Sequence, residues 1–156
     1  MKVGDLVIVA TLGEIKAYKA SPRTAEAEAG LKPSEVKLDL VKAIDIIEAH
    51  KKLQDLVTGL EGSFKPGFLN KSVSGEKHNL KQEIYKEAVK AVAEDIDLLI
   101  EELGNKKVFL SLPKVISKDV LDNLKNKDKI FRLVEKDLLK TDKNKLIEEF
   151  KPEILK

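Results

Sequence analysis

Val108-Phe109-Leu110-Ser111-Leu112-Pro113 is an apolar run closed by a proline, the pattern of a strand buried on both faces, and it reads as a central strand of a sheet. Upstream, Leu6 to Ala10 is a second continuous apolar run. Beyond a Leu12-Gly13 turn, Ile15, Ala17 and Tyr18 predict a strand paired to it as a hairpin. Ser21 to Pro33 mixes Ser, Pro and Gly with an alternating Ala/Glu stretch and reads as a connection or a poorly ordered excursion. Val36, Leu38, Leu40, Ile44 and Ile46 then lie on one side of a period-two pattern, although Leu40, Ile44 and Ile47 also fit a helical stripe; we read Val36 to Ile47 as a third strand.

Ahead of Val108 stands the clearest helix of the chain, predicted from Asn79 to Leu103. Leu80, Ile84, Ala88, Val92, Ile96, Leu99 and Leu103 form one apolar stripe with Lys and Glu opposite. Asn79 is suited to cap its start, with Gln82 three residues on, and Gly104 is a suitable stop. After Pro113, Ser117 is the candidate cap of a short helix that buries Val120, Leu121 and Leu124. Ile130 to Glu135 reads as a half-buried strand, and Thr141 opens a last helix through Leu146, Ile147 and Phe150 that stops at Pro152.

The order is therefore strand, strand, strand, helix, strand, helix, strand, helix. A meander of three strands followed by right-handed crossovers sets the Val108 strand parallel beside the first, with the Ile130 strand outside it. This is an α/β domain with a mixed five-stranded sheet and the connectivity of the ribonuclease H-like fold. That architecture hosts nucleases, kinases and translation factors, so it does not name a function.

With 156 residues, 42% apolar and 36% charged, one domain over residues 1–156 with one core is expected. The formal charge of +2 gives no global field toward nucleic acid or anionic lipid, so any such binding must come from a local patch. Arg23 and Arg132 are the only arginines, which argues against bidentate reading of guanine and hence against sequence-specific DNA recognition. The absence of cysteine excludes disulfides, thiolate metal sites and cysteine nucleophiles. The apolar run from Leu6 to Ala10 is too short for a signal core or a membrane span, so a soluble, cytoplasmic protein without membrane contact is expected.

Thr58 to His78, TGLEGSFKPGFLNKSVSGEKH, reads as a long loop and holds four of the eight glycines and two of the five phenylalanines. Compact domains rarely carry such a connection unless it binds, catalyses or stays disordered, so function is sought here first. Lys65, Lys71, Lys77, His78 and Lys81 outnumber Glu61 and Glu76, and Phe64 and Phe68 flank Pro66-Gly67. Basic residues interleaved with aromatics grip a nucleic-acid backbone and stack on unpaired bases. The competing reading folds both phenylalanines onto the sheet and leaves the lysines as solubilising charge.

Catalytic signals are weak. A ribonuclease H-type nuclease needs carboxylates converging on two metal ions, and neither Leu6 to Ala10 nor the exit Ser111-Leu112-Pro113 supplies one. Glu83, Glu87 and Glu94 fit better as solvated partners of Lys81, Lys86 and Lys90. Gly59-Leu60-Glu61-Gly62 lacks the ending of a P-loop. His50 and His78 would need carboxylates such as Glu48 or Glu76 to hold zinc, and Ser63, Ser72 and Ser74 sit in no nucleophile-elbow pattern. No cofactor and no metal are expected.

Asp55-Leu56-Val57-Thr58, Glu61-Gly62-Ser63-Phe64 and Gly75-Glu76-Lys77-His78 resemble, in order and spacing, the middle of the bacterial host attachment protein family. So does Lys107 to Phe150, KVFLSLPKVISKDVLDNLKNKDKIFRLVEKDLLKTDKNKLIEEF. The resemblance covers nearly the whole chain and is weakest from Ser21 to Val36. It implies a single-domain relative of the middle domain of archaeo-eukaryotic peptide-chain release factors, itself ribonuclease H-like. In those factors a Gly-Gly-Gln tip just before the long helix promotes peptidyl-tRNA hydrolysis. Ser74-Gly75-Glu76-Lys77-His78 occupies that place with one glycine followed by glutamate, so the peptide-releasing role is not carried over. The loop and the resemblance together lead us to expect a non-hydrolytic module with the ribosome or a tRNA as partner, with Phe64, Lys65, Phe68, Lys71, Gly75, Glu76, Lys77, His78 and Lys81 as candidate contacts. Two alternatives are a protein-interaction or regulatory domain anchored by Phe64 and Phe68, and a hydrolase built around Glu76 and His78.

Overall fold

The computed structural model describes residues 1–32, 34–46 and 71–151, with 71–79 described by their backbone alone. Its strands are β1 (Leu6–Ala10), β2 (Glu14–Pro22), β3 (Val36–Asp45), β4 (Val108–Ser111) and β5 (Ile130–Val134). Its α-helices are α1 (Ala25–Glu28), α2 (Lys71–Leu103), α3 (Lys114–Asn123) and α4 (Lys143–Glu149). The sheet order is β3-β2-β1-β4-β5. β1 pairs antiparallel with β2 and parallel with β4, β2 pairs antiparallel with β3, and β4 pairs parallel with β5. The expected neighbours and directions are those observed.

Two cores flank the sheet, which explains why β1 reads as an unbroken apolar run. Leu6, Ile8 and Ala10 face one side with Val108, Leu110 and Leu112, beneath Val92, Ile96, Leu99 and Ile100 of α2 and Ile116 and Val120 of α3. Val7 and Val9 face the other with Tyr18, Leu38 and Phe109, covered by Leu146 and Phe150. Strands buried on both faces have no polar side to alternate with. At about 25 cal/mol per Å² of apolar surface removed from water, these two layers are the main favourable term of the fold.

Four local sequence readings are corrected, besides the start of α2. β3 ends at Asp45, before the expected Ile47. The stretch from Ser21 to Pro33 is not all connection: β2 continues to Pro22, and Thr24 Oγ1 accepts from the Ala27 amide at 3.1 Å to cap the single turn of α1. Ser117 does not cap α3; it is buried inside that helix, which starts directly after Pro113. Asp142, not Thr141, caps α4, its carboxylate accepting from the Asn144 amide at 3.2 Å.

The start of α2 is the largest difference. The helix begins at Lys71, so Asn79 lies within it instead of capping it, and the connection read as running to His78 ends earlier. Ser72, Ser74 and Gly75 read as loop residues, yet serine costs less and glycine only about 1 kcal/mol relative to alanine in a helix. Once nucleated, each added residue gains a hydrogen bond, so the strong stripe downstream extends the helix backward through them. Gly104 does end it: a Cβ there would lie 2.5 Å from the Ile100 carbonyl oxygen, while the Gly104 amide donates to that oxygen at 2.8 Å. Among the described residues, no helix is long and apolar enough to cross a membrane.

Candidate functional site

The residues nominated from the sequence divide into three groups. Phe64, Lys65 and Phe68 lie outside the described residues. Lys71, Gly75, Glu76, Lys77 and His78 fall on the first turns of α2, so Ser74 to His78, aligned above with a loop tip, is helical backbone. Lys81 follows one turn after Lys77 and is exposed.

Among the side chains described on α2, from Leu80 onward, Tyr85 is the first that packs against a core, and Leu80 and Ile84 are half-exposed and belong to neither. The helix is roughly 50 Å long at about 1.5 Å per residue, of which Tyr85 to Leu103 spans roughly 28 Å. Lys81, Lys86 and Lys90 are exposed along the helix, as are Glu83, Glu87 and Glu94.

Where α2 meets α3, a groove of about 530 Å³ is lined by Gln82, Tyr85, Lys86, Lys90, Asp119 and Asn123. The Tyr85 hydroxyl donates to Asp119 Oδ2 at 2.7 Å, and Asn123 Nδ2 donates to the Asp119 carbonyl at 2.8 Å. Burial first, then the hydrogen bond to and charge of Asp119, push the Tyr85 phenol up to about 12. A phenol held protonated, with the neighbouring carboxylate occupied as its acceptor, is a structural tie and a poor general base at neutral pH.

The carboxyl ends of β1 and β4 are also committed to structure. Thr11 Oγ1 accepts from the amides of Gly13 and Glu14, both at 3.2 Å, closing the β1–β2 hairpin. Ser111 Oγ donates to the Lys136 carbonyl at 2.8 Å. Among the described residues no three His, Cys, Asp or Glu side chains come together as a metal site.

The opposite end of the sheet holds a feature that the sequence reading missed. A wide cleft of about 970 Å³ opens at the amino ends of β1, β4 and β5, with Lys2, Lys106, Lys107, Lys129 and Phe131 on its walls. Its signal was present as two short basic runs, Asn105-Lys106-Lys107 and Lys125 to Lys129, each leading into a strand that begins with apolar residues. Such runs read as solvated turns until the parallel pairing of β4 and β5 sets them side by side.

No protein-family model, curated protein or solved structure matches this chain.

Proposed function

We propose that the chain is a non-hydrolytic RNA- or ribosome-associated module with ribonuclease H-like connectivity, related to release-factor middle domains through the host attachment protein family. The observation that carries this reading is the extent of α2. The helix runs from Lys71, so Lys71, Lys77 and Lys81 stand on the opening turns of one continuous helix, and Lys81 is exposed. Lysines on such a stretch suit phosphate oxygens, whose neutralisation releases counterions and drives association without sequence reading. Glu76 stands where release factors carry glutamine, so the peptide-releasing role is not carried over, and its carboxylate opposes rather than aids contact with phosphates.

Cosedimentation with ribosomes at low and raised salt tests the proposal. Binding at low salt that weakens as salt rises is expected. Changing Lys71, Lys77 and Lys81 together to Gln should weaken it and reduce the log–log salt slope by about 2, at about 0.7 per neutralised phosphate contact. Failure to sediment with ribosomes at any salt would end this reading.

A further inference from the structure

The cleft at the amino ends of β1, β4 and β5 is built from three local devices. The first is a glycine turn. Gly4 has φ of +93°, a conformation that side-chain-bearing residues rarely adopt, and a Cβ there would lie 2.8 Å from Lys106 Cδ. Lys106 therefore lies across Gly4 and donates to the Val3 carbonyl at 3.2 Å, while Lys19 donates to the Gly4 carbonyl at 3.2 Å. Two ammonium groups are gathered at one turn.

The second device is a bulge. Val108 pairs with Ile130 but Phe109 pairs with Arg132, so Phe131 is the extra residue in the edge strand β5. Bulges re-aim a side chain at sheet edges and binding sites. Phe131 is 53% exposed, although its ring meets buried Phe109 edge to face with centroids 5.5 Å apart. That contact holds an exposed aromatic ring in place from below.

The third is the charge around the ring. Lys107 Nζ sits 4.1 Å from the Phe131 centroid, and exposed Lys2 and Lys129 share the cleft wall. Of the two aspartates there, Asp5 is buried and accepts from the Lys2 amide at 2.7 Å, so its charge is turned inward, leaving Asp128.

We propose that this cleft is a binding site for single-stranded nucleic acid, with one base stacked on Phe131 and the flanking phosphates held by Lys107, Lys129 and Lys106. A positively charged groove with a held aromatic ring is the arrangement by which single strands are bound without reading sequence. An exposed cation–π contact is weaker than base stacking, so an arriving base displaces the Lys107 ammonium from the ring and frees it for the nucleotide's own phosphate. A held aromatic ring among ammonium groups matches a base with its flanking phosphates, whereas a lipid headgroup offers a phosphate with no ring to stack. Gly104, directly after α2, lines this cleft, which places it at the far end of that helix from Lys71; the site therefore stands without the preceding proposal.

The chain has no tryptophan, so Phe131→Trp installs a single reporter that preserves stacking. Titration with an octauridylate at low salt is expected to quench its fluorescence saturably. By fluorescence anisotropy with the labelled oligonucleotide, Phe131→Ala should weaken binding about tenfold while Phe131→Tyr keeps it. Lys107→Gln with Lys129→Gln should weaken it further and flatten its salt dependence, whereas the Lys71, Lys77 and Lys81 changes should leave the quenching in place. Circular dichroism shows whether each variant is folded, and the Lys107 and Lys129 changes fall on exposed side chains. Absence of quenching, unchanged affinity in Phe131→Ala, or tighter binding to phosphatidylserine vesicles than to the oligonucleotide overturns the proposal.

Discussion

Asp97 is a charged residue on the packed face of α2, 6% exposed, and the loop after α3 is organised around it. Its carboxylate accepts from the Lys125 amide at 3.0 Å and the Asn126 amide at 2.9 Å, with Asn126 Nδ2 at 3.1 Å. A buried carboxylate is tolerated when its lone pairs are filled, and here two of the three donors are main-chain groups. Asp97→Ala leaves those donors unpaired, and a loss of about 2–4 kcal/mol in unfolding free energy by urea titration is expected. Asp97→Asn keeps one acceptor oxygen and should fall between. A loss below about 0.5 kcal/mol in the alanine variant would mean that water replaces the carboxylate freely. In the sequence this residue is one acid among many on a charged helix, because nothing local distinguishes an aspartate facing solvent from one facing a loop 28 residues further on.

At the scale of elements, α2 and α3 are joined at their rim by the Tyr85–Asp119 hydrogen bond, and pH tests that tie directly. Tyr85 is held protonated, with its phenol raised from 10.0 to about 12 chiefly by burial and then by Asp119. A group whose folded value lies above its unfolded one contributes stability in full below the unfolded value. That contribution is lost as pH rises, here between about 10 and about 12. Tyr18, the other tyrosine, is also raised, by burial and then by Glu14. Phenolate absorbance should therefore develop late for both residues. In Asp119→Asn the Tyr85 transition should move down toward 10, though not all the way, because burial remains. An unchanged Tyr85 transition would mean that the carboxylate contributes nothing.

The same scale shows what was legible beforehand. Leu6–Ala10 and Val108–Ser111 were readable because doubly buried strands must be apolar throughout, and the Ala88 to Leu99 stripe because one helical face had to cover them. The start of α2 was not readable, since Ser72, Ser74 and Gly75 carry loop preferences too small to oppose propagation from a long helix. Of the nominated contact residues, Lys81 is the one whose side chain is described, and it is exposed, whereas the Phe131 cleft depends on a bulge and a sheet pairing that no window of sequence contains.

The molecule as a whole should unfold as one unit despite its two cores. Leu110 and Phe109 are adjacent on β4 but enter opposite cores, and Ile8 and Val9 do the same on β1, so each central strand is held by both layers. Removing one layer exposes the back of the strands on which the other rests. The two tyrosines provide a reporter on each side: Tyr18 is buried in the layer under Phe150, and Tyr85 packs against the layer under α2. Leu110→Ala should cost about 2–5 kcal/mol and Phe150→Ala about 3–5 kcal/mol. Measured in Tyr85→Phe and Tyr18→Phe backgrounds, each loss should lower the urea midpoint equally for the remaining tyrosine and for circular dichroism, the signature of a single cooperative transition. Midpoints that separate, with Phe150→Ala moving only the Tyr18 signal, would instead show that α4 detaches first and that the sheet survives with one layer.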